Sequence, residues 1–150
     1  MILFRLTKEA YADDLSGAGA RLYGGRWNSK GKATVYMAAS QSLALLEVLV
    51  HLPALIEPKN YYLVSIEVPE TSIIRVDTKD LPPNWYAMQP PTIIKKIGDD
   101  FLTANKYLLL KVPSAIVPAE YNYLLNIQHP DMKKVKVISK ELFSFDKRLV

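Results

Sequence analysis

Ser40-Gln41-Ser42-Leu43-Ala44-Leu45-Leu46-Glu47-Val48-Leu49-Val50-His51-Leu52-Pro53 carries the clearest helix signal in the chain. Ser40 suits a helix N-cap, the run from Gln41 to Leu52 is rich in Ala and Leu, and Pro53 stops it, so the pattern predicts a helix over 41–52. Before it, Thr34 to Met37 reads as a short strand; after it, Tyr61 to Val68 reads as another, with Val64, Ile66 and Val68 on one face. Further out, Ile2 to Leu6 alternates and predicts a first strand. Ile73 to Val76, Tyr107 to Val112 (ended by Pro113) and Val135 to Ser139 predict others. A second helix is expected over Thr92 to Ala104, with Ile93, Ile94, Ile97 and Phe101 on its apolar side. Ser16 to Gly19 and Leu81 to Trp85 read as loops, and Tyr23 to Asn28 as a turn. Strands and helices do not alternate in a βαβ rhythm, which points to α+β with a mixed or antiparallel sheet and flanking helices. No repeat, low-complexity tract or linker divides residues 1–150, so one domain is expected.

Composition narrows the chemistry. A chain of 150 residues, 49% hydrophobic, buries roughly 70% of its unfolded surface and needs no staple. Cysteine is absent, which excludes a disulfide framework, thiolate metal ligands and a cysteine nucleophile; with two histidines, no metal site is expected. No apolar run approaches the ~18–20 residues that span a bilayer, and the Met1-Ile2-Leu3-Phe4-Arg5 start does not read as a signal peptide, so a cytoplasmic protein is expected. The net charge of +4 is scattered apart from Lys133, Lys134 and Lys136, without the aromatic interleaving of a nucleic-acid stripe. A small anionic ligand or an acidic partner accounts for it equally well.

Several residues are chemically expensive. Glu47 lies in a helix that is apolar nearly all round, with Leu43, Ala44, Val50 and His51 three and four positions away. An unpaired buried carboxylate costs several kcal/mol or is forced neutral. Glu47 therefore either serves a site, or lies on a narrow solvated stripe, or is satisfied by a distant Arg. Arg26 follows Gly24-Gly25 and precedes Trp27-Asn28; it is either a phosphate-binding fork beside a close backbone or a surface Arg after a tight turn. Ser114 either caps a turn or offers a hydroxyl at a strand end. Tyr36 and Tyr121-Asn122-Tyr123 are core aromatics or stacking surfaces. His51 and His129 read as structural. Neither a P-loop nor a G-x-G-x-x-G fingerprint occurs.

Together these residues carry a resemblance. Ala20-Arg21-Leu22-Tyr23-Gly24-Gly25-Arg26-Trp27-Asn28-Ser29-Lys30-Gly31 resembles the opening motif of the RES family. Val35-Tyr36-Met37-Ala38 and Leu43 to His51 resemble its next two blocks. Val112-Pro113-Ser114-Ala115-Ile116-Val117-Pro118, Glu120 to Asn126 and His129-Pro130-Asp131 are similar to the fourth. The Arg, Glu and Ser that give the family its name fall on Arg26, Glu47 and Ser114. The chain departs from the family pattern at Ile127, where a Pro is common, and around Gln89-Pro90-Pro91.

The resemblance implies an ADP-ribosyltransferase-like fold and a toxin of a toxin–antitoxin pair, held silent by an Xre-type antitoxin. It implies cleavage of NAD⁺ at the nicotinamide–ribose bond, with NAD⁺ as substrate and no true cofactor. Transfer of ADP-ribose to a protein is the alternative chemistry, and a silent partner-binding module the alternative class. Nucleic acid would be reached only through the antitoxin, and a homo- or hetero-oligomer is open. By the same resemblance, Glu47 opposes the sugar cation, Arg26 and Arg5 hold the phosphates or ribose, and Tyr36 stacks on nicotinamide or positions its ribose. Asn28, Ser114 and Asn122 are further expected NAD⁺ contacts.

Overall fold

The computed structural model describes residues 1–53 and 57–150. Seven strands and three helices follow in the order β1 (Ile2–Lys8), α1 (Ala18–Tyr23), β2 (Val35–Ala38), α2 (Gln41–Leu49), β3 (Tyr61–Glu67), β4 (Ile73–Arg75), α3 (Thr92–Ala104), β5 (Leu109–Pro113), β6 (Tyr121–Leu125) and β7 (Lys136–Phe143). The strands form one sheet of order β4-β5-β6-β2-β1-β3-β7. Among the described residues only the β4–β5 pair is parallel. The expected α+β class with a mixed sheet is what the chain adopts.

Strand alternation sorts the core onto two faces. One face gathers Leu3, Val35, Met37, Val64, Ile66, Leu109, Tyr123 and Leu125 with Ala12. The other carries two clusters. Leu6, Ala38 and Leu63 pack under Leu43 and Ala44 of α2. Leu110, Val112 and Leu124 pack under Ile94, Phe101 and Leu102 of α3, with Trp27, Leu81 and Trp85. Tyr36 and Asn122 occupy strand positions of this second face.

Local chemistry sets the helices. The Ser40 side chain accepts from the Leu43 N–H at 3.1 Å, the expected N-cap. The helix ends at Leu49, before the expected Leu52, because the last turn tightens. His51 and Leu52 donate to the carbonyls of Val48 and Leu49, three residues back. Proline at 53 also disfavours helical backbone at Leu52. The stripe of α3 is Ile94, Gly98, Phe101 and Leu102, four and three residues apart; Ile93, expected on it, is exposed.

Other departures have plain causes. The predicted loop 16–19 turns into α1 at Ala18, because Gly17 takes φ 71° where an added Cβ would meet the Thr34 backbone at 2.6 Å. Pro113 is the last residue of β5 rather than its terminator, and Ser114 N still donates to Glu120 O. β6, which the sequence pattern does not predict as a strand, lies inside the sheet between β5 and β2.

Candidate functional site

The second face of the sheet is polar where its two clusters meet. Glu47 projects from α2, and its Oε1 accepts two hydrogen bonds. One comes from Ser114 Oγ at 3.0 Å, the other from Asn122 Nδ2 at 2.6 Å. Asn122 is on β6 and Ser114 just past β5, so adjacent strands hold one oxygen of a helix carboxylate. Ser114 is fully buried and its hydroxyl is saturated, since it also accepts from the Ile116 and Val117 N–H groups at 3.1 Å each. Among the described residues no protein group bonds the other oxygen, Oε2, and Glu47 is half-buried. A carboxylate so placed is fixed in orientation while keeping an acceptor free.

Arg26 stands on the turn closed by Gly25 N donating to Asn28 O at 3.0 Å. Asn28 is fully buried, and its Nδ2 is shared among the carbonyls of Ala20, Ser29 and Lys32. Its Oδ1 accepts from the Tyr36 hydroxyl at 2.6 Å, and that hydroxyl accepts from Trp27 N at 3.1 Å. Only glycine fits at 25, because a Cβ there would meet the Tyr36 hydroxyl at 2.8 Å and Asn28 Oδ1 at 2.9 Å. Burial pushes the Tyr36 phenol above its ordinary range, so it stays protonated and can donate. Ser29 closes the turn onto α3, its N and Oγ donating to the two carboxylate oxygens of Asp99 at 2.8 and 2.6 Å.

The Arg26 side chain reaches the 85–87 loop, where Nη1 donates to the carbonyls of Trp85 and Ala87 at 3.0 and 2.8 Å. Burial lowers the guanidinium pKa; the charge of Glu47, and then Tyr36, act against that. Glu47 and Arg26 thus share one electrostatic environment without forming an ion pair. The guanidinium remains charged, and among the described residues its other N–H donors meet no protein acceptor.

The expected site residues are therefore partly brought together. Glu47, Asn122 and Ser114 form one group, Arg26, Tyr36 and Asn28 another, on the same face. Three readings need correction. Arg5 does not face this site: strand alternation puts it on the opposite face, with Leu3 and Val64. There its Nη1 donates to Asp14 O at 2.8 Å and Tyr11 O at 3.4 Å. Asn28 is no ligand contact, since its amide is spent inside the turn. Ser114 has no free donor for a ligand, because its one proton serves Glu47.

Sequence reasoning missed Gly98 and Asp99, although a glycine inside an amphipathic helix costs about 1 kcal/mol and signals a close approach. His129 is structural, accepting from Asp131 N at 3.1 Å. His51, at the exposed end of α2, lines a shallow depression of about 250 Å³ with Glu47, Val48, Lys8 and Tyr61.

Comparison with known proteins adds to this geometry. Residues 2–146 match the profile of the family described as RES domain. The chain is similar to "Toxin Res" of Photorhabdus laumondii subsp. laumondii, 43% identical over all of this chain and 97% of that protein. It is also similar to "Prs ADP-ribosylating toxin" of a Sphingobium species, 42% identical over 93% of this chain and 88% of that one. Among solved structures it resembles a chain of the M. tuberculosis MbcT–MbcA toxin–antitoxin complex. The TM-score is 0.78 at 20% identity, covering 95% of this chain and 84% of that one, a likeness of fold.

Proposed function

The chain belongs to the RES-domain family, and from that premise we propose that it is the toxin of a toxin–antitoxin pair and cleaves the nicotinamide–ribose bond of NAD⁺. Its fold is the ADP-ribosyltransferase-like one of this family.

One observation carries the reading: the doubly held Glu47, with its second oxygen unbonded among the described residues, on the same sheet face as a charged, anchored Arg26. When nicotinamide leaves with the bonding pair, the ribose becomes cationic. A carboxylate about 4 Å from that charge contributes about 4 kcal/mol at an effective dielectric of 20, roughly a thousandfold in rate. Pre-orientation by Ser114 and Asn122 means that no reorganisation is needed when the charge forms. The free donors of Arg26 would take the pyrophosphate. Tyr36 contributes through the turn it holds, as a protonated donor to Asn28. Water or phosphate then bonds the anomeric carbon and releases a proton. An Xre-type antitoxin partner in the cytoplasm would restrain such an activity during growth.

The test is NAD⁺ consumption by purified protein, with products resolved by chromatography and mass. Nicotinamide plus ADP-ribose marks hydrolysis, and a phosphorylated ADP-ribose formed only with phosphate marks phosphorolysis. The Sphingobium relative's name favours a second reading, ADP-ribosylation of a protein. Labelled NAD⁺ in cell extract, giving a modified band, would replace the first reading with that one.

A further inference from the structure

We infer that Asp99 is a positioning residue for Arg26, setting from α3 where the guanidinium stands. The inference rests on the Arg26 reading above. The turn that carries Arg26 is held from three sides. Asn28 ties it to the carbonyls of residues 20, 29 and 32, and Tyr36 ties it to the sheet. The third hold comes from two consecutive residues of α3. Asp99 grips Ser29 with both carboxylate oxygens, at 2.8 Å to N and 2.6 Å to Oγ. Gly98 lets the helix lie against the turn itself, since an added Cβ would stand 1.6 Å from Trp27 O.

The tethered atoms flank Arg26 closely. Trp27 is its neighbour and Ser29 is three residues on. Asp99 is 70 residues from Ser29 in sequence, so its bonds fix the turn against a separate element rather than merely closing it. A carboxylate accepting two N–H or O–H donors at once also defines direction, which one point contact would not. Nη1 of Arg26 meets the 85–87 loop, and where its remaining donors lie follows from where the turn is pinned. Asp99 itself need touch no substrate.

A coupling experiment separates positioning from simple support. The Kd for NAD⁺ is measured by calorimetry in the Glu47→Gln protein, whose turnover is expected to be about 10²–10³-fold slower, with Asp99→Ala, Arg26→Ala and both together. Asp99→Ala is expected to weaken binding about tenfold alone and less than about twofold once Arg26 is gone, as for residues acting through one another. In the active protein the loss should fall on KM, with kcat within about threefold. Asp99→Asn, which keeps an acceptor for Ser29 N, should recover part of the affinity.

Equal weakening in both backgrounds, or none in either, overturns the inference. If Arg26→Ala itself leaves Kd unchanged, the Arg26 reading falls and takes this inference with it. If Arg26→Ala weakens binding while Asp99→Ala acts independently, only this inference falls. Should Asp99→Ala not fold, Ser29→Ala removes only the 2.6 Å hydroxyl bond and runs through the same cycle.

Discussion

The Ser114 hydroxyl gives its one proton to Oε1 of Glu47 at 3.0 Å while receiving the backbone N–H groups of Ile116 and Val117. The serine that the sequence places at a strand end is thus a bracket between a loop backbone and a carboxylate. Ser114→Ala should strand two N–H groups and free one side of Glu47. Unmet buried donors cost about 1–3 kcal/mol each, so a lower melting temperature and about tenfold slower turnover are expected. Unchanged melting and unchanged kcat would remove the bracket role.

Glu47→Gln keeps an oxygen for Ser114 and Asn122 and removes the charge. We expect kcat to fall by about 10²–10³, as when a preorganised stabilising group is lost, with the melting temperature close to wild type. A rate within a few fold of wild type would show that the charge does not face the reacting sugar.

Arg26→Lys is expected to behave like Arg26→Ala, raising KM for NAD⁺. An ammonium is a point charge and does not bridge the Trp85 and Ala87 carbonyls while offering a fork to phosphate. Restoration of wild-type KM by lysine would reduce Arg26 to its charge alone.

Tyr36 sets a pH dependence whose sign follows from burial. Its phenol is raised above the ordinary value of 10.0 in the folded chain. Above that pH the unfolded chain has lost the proton and the folded chain has not, so stability falls as pH rises. Below pH 10 the full contribution is present. Wild type should lose melting temperature above pH 10 more steeply than Tyr36→Phe, each measured against its own value at pH 7. Parallel slopes would count against a buried, proton-holding phenol.

Gly98→Ala inverts an ordinary rule. In an exposed helix interior the change stabilises by about 1 kcal/mol. Here the new methyl would meet Trp27 O at 1.6 Å, so α3 or the Arg26 turn must shift. Chemical denaturation should show a net loss of stability; a gain would mean that the two backbones separate easily.

Helices α2 and α3 were legible because their signals are local, whereas α1 was not, because its six residues lie between glycines that read as loop and turn. Ser40 caps α2 from three residues away, and the stripe through Ile94 and Phe101 announces α3. Glu47 was legible as an anomaly, a carboxylate in an apolar helix. Its partners were not, since Ser114 lies 67 residues away and Asn122 lies 75. Alternation separates Arg5 from Phe4 and Leu6, but not which face carries the site. Asn28 looked like a ligand residue because a polar side chain beside glycines reads alike whether it binds outward or, as here, spends its amide on its own loop.

Both tryptophans of the chain, Trp27 and Trp85, belong to the wall that holds Arg26, one beside it in sequence and one bonded to it through a carbonyl. Ultraviolet emission excited in the indole band therefore originates from that wall and from nowhere else in the molecule. The protein carries its own optical label at the turn, and a titration that disturbs Arg26 has a built-in signal without any added dye.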